Sequence, residues 1–288
     1  MTAELRLLRT LNASSTPYVD PLERLDWASV DTDAWWLPPA ALSLAGVAAF
    51  EVLPLRLRQR LSHCEFAFLI ETGLWLEGLF IERFGAALDR AADPALRARY
   101  LHEIREEAGH SLMFLELFRR SGVRVPAAAH PRSAAATWLG RLLPAPGALF
   151  WTFVVIGEEF GDRLTRMVPS GVEEETLSAV VYHMARLHVR DEARHIAHTR
   201  AECVEATRRL PAWRRAMLSP FVAVALGAMA QRVYYPPSAL YAWAGLPPDT
   251  DWSSLARANP VRRRLVAQST QPTVEFLRAA GWRVGSPH

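Results

Sequence analysis

The feature that most constrains the fold is the pattern Glu-x-x-His, which occurs twice in stretches of helical character. Glu107 and His110 form the first copy, and Glu192 and His195 form the second, 85 residues later. On a helix this spacing places a carboxylate beside an imidazole, as chelation of one metal ion requires. His188 lies one turn before Glu192 on the same face. One copy arises by chance in any long helix, but two copies, each preceded by another acid, predict a metal site.

The segments around these motifs predict an all-α chain built on two successive helix pairs. Turn signals such as "AADP" and "VPSG" separate the helices, and no alternating strand pattern stands out. Each Glu-x-x-His lies in the second helix of its pair. The predicted helices of the pairs span about 58–90, 94–122, 147–167 and 173–208. Two helix pairs of this kind indicate a four-helix bundle with additional helices.

The chain is expected to form a single domain over residues 1–288. An irregular N-terminal arm with a short helix occupies 1–55, and the metal-binding bundle occupies 56–210. C-terminal helices over 211–288 complete the domain, among them an apolar helix near 216–230 and a last helix that includes "VRRRLVAQSTQPTVEFLRA". Half of the 288 residues are hydrophobic, which is ample for a core of this size.

Composition excludes several classes of partner and compartment. The net charge is only +3 with interspersed acids and bases, so nucleic-acid binding is not expected. The apolar runs at 142–157 and 216–230 fall short of the roughly 18 to 20 residues that span a bilayer, and they are interpreted as buried helices. Two cysteines and an N-terminus without a long apolar run predict a cytoplasmic protein with no membrane span.

The first helix of each pair should add one inward carboxylate. In "LWLEGLFIERF", Glu77 stands among large apolar residues, where an unpaired carboxylate costs several kcal/mol or takes up a proton. Glu107 lies about as far beyond the turn near residue 91 as Glu77 lies before it, whereas Glu71 would be roughly 9 Å further along. In "FVVIGEEFGDRL" the candidates are Glu158 and Glu159, and the choice between them stays open.

Three more acids are candidates for supporting roles. Glu106 and Asp191 each precede a motif glutamate, and each is expected to accept an N–H from a histidine of the opposite helix pair, with a solvated acid as the alternative. Asp162 shares a helical face with Glu158, and its role is less defined. Four carboxylates with two histidines form the donor set that holds two iron or manganese ions in a bundle core, and His188 would add a further nitrogen.

The sequence resembles the p-aminobenzoate N-oxygenase (AurF-like) family of ferritin-like diiron oxygenases. The matching pieces are "WLEGLFIE", "DPALRARYLHEIREEAGH", "GEEFGD" and "LHVRDEARH", over roughly residues 60–200. The most specific element is His-x-x-x-Glu-x-x-His over 188–195, because its additional histidine separates this family from most diiron bundles. By this resemblance the metal ligands are Glu77, Glu107, His110, Glu158, His188, Glu192 and His195.

The resemblance implies an O2-dependent enzyme of natural-product biosynthesis that oxidises the nitrogen of an aromatic amine or hydroxylamine. Its cofactor would be two iron ions, with manganese as the other suitable metal. No Gly-x-Gly-x-x-Gly fingerprint occurs, so an external electron donor is expected. Two alternatives remain: a diiron C–H hydroxylase or desaturase acting on a small or carrier-bound substrate, and a non-enzymatic iron-storage bundle. A homodimer is also compatible with the sequence.

Overall fold

The structure is a computed structural model that describes residues 3–170 and 176–287. The prediction of an all-α fold is confirmed, because the described residues contain helices and one isolated β-bridge but no longer strand. In chain order the α-helices are α1 (Ala3–Ser14), α2 (Pro21–Arg24), α3 (Ala48–Glu51), α4 (Leu55–Leu88), α5 (Pro94–Ser121), α6 (Ala134–Leu142), α7 (Ala148–Thr165), α8 (Met167–Ser170), α9 (Ala179–Arg208), α10 (Ala212–Tyr234), α11 (Ser238–Trp243), α12 (Trp252–Ala258) and α13 (Pro260–Ala279).

Four long helices form the bundle that was predicted. Helix α4 packs along α5 and α7 packs along α9, while contacts between α4 and α7 and between α5 and α9 close the arrangement. The ends of α5 follow from local chemistry: the Asp93 side chain accepts from Ala95 N, Pro94 occupies the first turn, and Gly122 ends the helix at φ +70°. The two motif helices, α5 and α9, therefore face one another across the bundle.

The predicted start of the last bundle helix was too early. Residues 173–175 lie outside the described part of the chain, and α9 begins at Ala179 rather than at 173. Leu177 instead forms a parallel bridge with Trp35 of the arm, in which Ser178 N donates to Trp35 O at 2.9 Å. Pairing with the arm extends the backbone here and delays the helix.

The N-terminal arm is more ordered than the sequence predicted. Helix α1 has 12 residues and packs on α5 and α9. After α5, the Pro/Ala-rich stretch "VRVPAAAHPRSAAA" leads into α6, whose first turn is capped by the Ser133 side chain accepting from Ala136 N. The sequence predicted only one short helix in the arm and no helix at 134–142. The arm thus covers the side of the bundle that carries both motifs.

Helix α10 packs on α7 and α13, but the interpretation of 216–230 as a buried helix was only partly correct. Val222, Leu226 and Ala230 are buried, whereas Trp213 is 61% exposed and Phe221 is 65% exposed. Within the described residues one helical stretch, Ala212–Trp243, has the length and hydropathy of a membrane span, and 28% of its most apolar window is buried. One face of α10 is therefore apolar and is left uncovered by residues 3–170 and 176–287.

Candidate metal centre

The structure brings all seven predicted ligands together inside the bundle, in two adjoining groups. Within each group the candidate ligand atoms all lie within 4.8 Å of one another. His188 is partly exposed, and the other six side chains are buried. The first group consists of Glu77, His110 and His188, and the second of Glu107, Glu158, Glu192 and His195.

The two motif glutamates connect the groups. Glu192 Oε1 lies 3.5 Å from His188 Nε2 and 3.6 Å from the Nδ1 atoms of both His110 and His195. Glu107 places one oxygen 3.6 Å from His110 Nδ1 and the other 3.0 Å from His195 Nδ1. Each of these carboxylates can therefore face two cations at once, which is the geometry of a bridging ligand.

Within the described part of the chain, many polar atoms of this cluster lack a hydrogen-bond partner, although buried polar groups in proteins are nearly always paired. They converge from four helices, and their oxygen and imidazole nitrogen donors suit iron or manganese. Bound cations would satisfy them, so the residues present fit a dinuclear metal site. The unpartnered atoms are Glu77 Oε1, both oxygens of Glu107, Glu158 Oε1, Glu192 Oε2 and the Nδ1 atoms of His110 and His195.

The two motif histidines are oriented by acids on the opposite motif helix. His195 Nε2 lies 2.9 Å from Glu106 Oε2, and His110 Nε2 lies 3.4 Å from Asp191 Oδ2. With Nε2 directed at an acid, Nδ1 of each ring faces the central carboxylates. The support is crossed, because each acid lies next to one motif glutamate and holds the histidine of the other motif.

A single arginine connects the two supporting acids. Arg194 Nη2 lies 2.9 Å from Glu106 Oε1 and 2.9 Å from Asp191 Oδ1. Arg99, which is fully buried, adds a contact of 3.3 Å to Glu106 Oε2. Sequence reasoning missed both arginines. The only available signal was the spacing of three between Asp191 and Arg194, which is weak in a chain where all 33 basic residues are arginine.

The acids and histidines of the cluster have strongly perturbed pKa values. Burial raises the pKa of Glu158 well above its ordinary range, and the nearby carboxylates of Glu192 and Glu107 raise it further. Burial lowers the pKa of His110, but the nearby carboxylates of Asp191 and Glu107 outweigh it and raise that pKa to about 10. Burial by itself would raise the pKa of Glu106, but the contact with His195 lowers that pKa to about 2. Without metal, protons therefore occupy positions that a cation would take.

The choice between the adjacent glutamates of α7 follows from their partners. Glu158 belongs to the second group of candidate ligands. Glu159 points elsewhere: one oxygen accepts from Arg200 Nε at 2.6 Å and the other accepts from Thr273 Oγ1 at 2.7 Å. The geometry favours Glu158 as the inward carboxylate, while Glu159 joins α7 to α9 and α13.

Asp162, which was predicted to have a supporting role, and His198, which follows the second motif, lie outside the two groups of candidate ligands. Asp162 Oδ2 pairs with Arg166 Nε at 2.5 Å. Arg166 lies at the C-terminal end of the same helix and is not one of the candidate ligands. Burial raises the pKa of Asp162, and Arg166 opposes that rise. His198 Nδ1 donates to Glu103 Oε1 at 2.8 Å. Asp162 nevertheless stays close to the site, because it lines the adjoining cavity.

A cavity of about 50 Å³ adjoins the candidate centre. Its walls come from α4, α5, α7 and α9 and are mainly apolar, and Glu77, Glu158 and His188 form part of its lining. A cavity that holds benzene measures about 150 Å³. The space therefore suits a small molecule or the reacting end of a larger one, unless lining side chains move.

Comparisons with known proteins agree with this geometry. The family model described as p-aminobenzoate N-oxygenase AurF matches residues 2–281. An uncharacterized protein of Mycobacterium bovis is 26% identical over 252 residues, which cover 82% of this chain and 71% of that protein. An uncharacterized protein of Mycobacterium tuberculosis strain H37Rv has the same identity and coverage.

Proposed function

The chain belongs to the p-aminobenzoate N-oxygenase family of ferritin-like diiron proteins, and on that basis we propose that it uses O2 to oxidise the nitrogen of an aromatic amine or hydroxylamine. The observation that supports the proposal best is the convergence of four carboxylates and three histidines in two adjoining groups. The third histidine, His188, gives one group a second nitrogen, which matches the His-x-x-x-Glu-x-x-His element of the family.

Each residue of the cluster has a role in this proposal. Glu77, His110 and His188 would hold one ion, Glu158 and His195 would hold the other, and the motif glutamates Glu107 and Glu192 would contact both. Two iron ions held there would supply the activation of O2, and manganese is the other metal that this donor set suits.

The protein's own contribution is to orient these ligands and to shield the reaction from water. The crossed contacts from Glu106 and Asp191 fix the histidine rings, and the apolar walls of the cavity limit the access of water to the oxidised nitrogen. We propose a separate electron donor, because the sequence has no nucleotide-binding fingerprint. We further propose a role in natural-product biosynthesis and a cytoplasmic location, which the unpaired Cys64 and Cys203 suit.

The first test is the metal content of purified protein by plasma emission spectrometry. We expect about two irons per chain, and Glu107→Ala should lose most of this metal because its carboxylate faces both groups. Glu116→Ala is the matched control on α5, since Glu116 pairs with Arg119 and Arg120 instead. If Glu107→Ala bound as much iron as the wild type, the proposed ligand set would be wrong.

The second test identifies the reaction. The reduced, iron-loaded protein is exposed to isotopically labelled O2 with an aromatic amine, and the products are analysed by mass spectrometry. We expect labelled oxygen on nitrogen. Label found only on carbon would replace the proposal with the C–H hydroxylase alternative, and a cage-sized particle without turnover would point to iron storage.

A further inference from the structure

One polar side chain of the cavity has no role in the site as described so far. Among the described residues lining the cavity, the other ionisable ones are the candidate ligands Glu77, Glu158, His188 and Glu192. Asp162 also lines it, is only 3% exposed, and is not among those candidates.

The cavity's two threonines are already satisfied by their own helices. Thr72 Oγ1 donates to Phe68 O at 2.9 Å, and Thr165 Oγ1 donates to Gly161 O at 3.0 Å. Asp162 differs from both. Its Oδ2 pairs with Arg166, but its Oδ1 is buried and has no hydrogen-bond partner among the residues that the structure describes. An unsatisfied buried acceptor is destabilising, and more so when it is charged, so its presence beside a cavity points to a donor that arrives with a ligand.

The position of Asp162 defines what that donor would be. Asp162 follows Glu158 by one helical turn, so the two side chains lie on the same face of α7, about 6 Å apart at Cβ. Apart from the polar residues already named, the wall of the cavity is mainly aromatic and aliphatic, and it includes Phe80, Phe114 and Met184. A ligand that suits this surface has an apolar body and an N–H group directed toward α7.

We propose that Asp162 Oδ1 is the substrate anchor of this site, accepting an N–H hydrogen bond from the amino group of an aromatic amine and thereby directing that nitrogen toward Glu158 and His188. The inference rests on the proposed function and adds to it the residue that selects an amine over a hydrocarbon of the same shape. The aryl ring requires more space than the present cavity, which adaptable side chains such as Met184 can provide.

The test is equilibrium dialysis under nitrogen, where no oxidation occurs, with aniline and toluene as probes of nearly equal shape. The protein is used as purified, with its metal content measured. A hydrogen bond to a charged acceptor predicts that the wild type binds aniline at least about tenfold more tightly than toluene. Asp162→Ala should reduce that ratio to about one, and Asp162→Asn should reduce it while retaining the size of the side chain.

Thr165→Val is the matched control, because it removes a polar group from the same cavity and from the same helix without touching the anchor. It should keep the wild-type ratio, and thermal unfolding should show that all variants are folded. Equal binding of the two probes by the wild type, an unchanged ratio in Asp162→Ala, or no binding of either probe would overturn the proposal.

Turnover separates this inference from the proposed function. Aniline preference that depends on Asp162, without any oxidised product when iron, reductant and O2 are supplied, would support the anchor and contradict N-oxygenation. Oxidised nitrogen product from a wild type with no preference between the probes would support N-oxygenation and overturn the anchor.

Discussion

Glu107 and Glu192 occupy equivalent positions in the two motifs, and each lies between histidines of both groups. The acid that precedes each of them supports a histidine on the other helix. In the proposed metal site, a five-residue unit, acid-Glu-x-x-His, would therefore supply one carboxylate facing both ions, one histidine ligand and one supporting acid. At the scale of single residues, the two motifs depend on one another.

Removing one support should weaken metal binding without removing a ligand. Asp191→Ala deletes the acid beside His110 Nε2, and loss of such partners typically lowers metal affinity about 10- to 100-fold. Metal titration monitored by tryptophan fluorescence would measure the change. Arg190→Met is the control, since Arg190 contacts Asp191 from an exposed position. Unchanged affinity in Asp191→Ala would show that the ring needs no such support.

The sequence was sufficient to predict which ligand candidates converge, because helical periodicity fixes which residues share a face. It could not choose between Glu158 and Glu159, which are adjacent and equally acidic. That choice depends on Arg200 and Thr273, which reach Glu159 from two other helices. Arg194 was missed for the same reason: its role depends on tertiary contacts with acids of both motif helices.

At the scale of elements, the arm and α5 meet at a glycine within the first motif. A Cβ atom on Gly109 would lie 2.4 Å from Tyr18 Oη and 3.2 Å from Pro21 Cδ, so only glycine fits while the arm is docked. Arg105 of α5 lies over the Tyr18 ring, 4.2 Å from its centroid. The glycine in "EEAGH" is therefore required by packing rather than by chemistry.

Gly109→Ala should destabilise the fold by about 1–3 kcal/mol, because the arm must shift to make room. Chemical denaturation would measure this loss, and a Tyr18→Phe background, which lacks the clashing hydroxyl, should reduce it. The control is Gly78→Ala on α4, where a Cβ meets nothing within 4 Å; there we expect a gain of about 0.5–1 kcal/mol from helix propensity. A destabilisation equal in both backgrounds would mean that the Tyr18 hydroxyl is not the obstacle.

Among the elements, the long bundle helices were predictable because caps and breakers mark their ends, as Asp93, Pro94 and Gly122 do for α5. The start of α9 was not predictable from the sequence. Leu177, just before this helix, forms a β-bridge with Trp35, which lies more than 140 residues earlier in the chain. Helix α1 was missed because its stability comes from packing on α5 and α9, which the sequence of the arm does not reveal.

At the scale of the whole molecule, the stability of the metal-free protein and the additional stability conferred by metal should depend on pH in opposite directions. The pKa of His110 is raised from 6.5 to about 10 in the metal-free fold, so its stabilisation is fully present below pH 6.5 and is lost as the pH rises toward 10. The pKa of His195 is also raised, which adds to the same trend. Glu106, with a pKa of about 2, contributes stability that is lost only in acid.

Metal binding requires these protons to leave, so metal affinity should increase over the same range. We expect the free energy of unfolding of the metal-free protein to fall between pH 6.5 and about 8.5, while the additional stability conferred by metal grows. Denaturation curves with and without metal at the two pH values would measure both. A metal-free protein whose stability rises over this range would contradict the assignment of protons to the histidines.

The apolar, exposed face of α10 leads to a separate prediction about how surface substitutions there affect stability. Phe221 is 65% exposed and should contribute little to folding, so Phe221→Glu should change the free energy of unfolding by less than about 0.5 kcal/mol. The buried neighbour Val222 is the contrast, since Val222→Ala leaves a cavity and should cost more. Denaturation at low protein concentration measures both, and light scattering of the wild type tests whether the chain forms a homodimer. A large loss in Phe221→Glu would show that this face is covered.

The crossed supports have a consequence for the order in which the protein matures. His110 is synthesised 81 residues before Asp191, the acid that orients it, and Glu106 is synthesised 89 residues before His195. A nascent chain that ends before α9 has four of the seven candidate ligands, and its His110 and Glu106 lack their partners on α9. Metal loading of the proposed site would therefore be a late event, which follows release of the second motif from the ribosome and docking of all four helices.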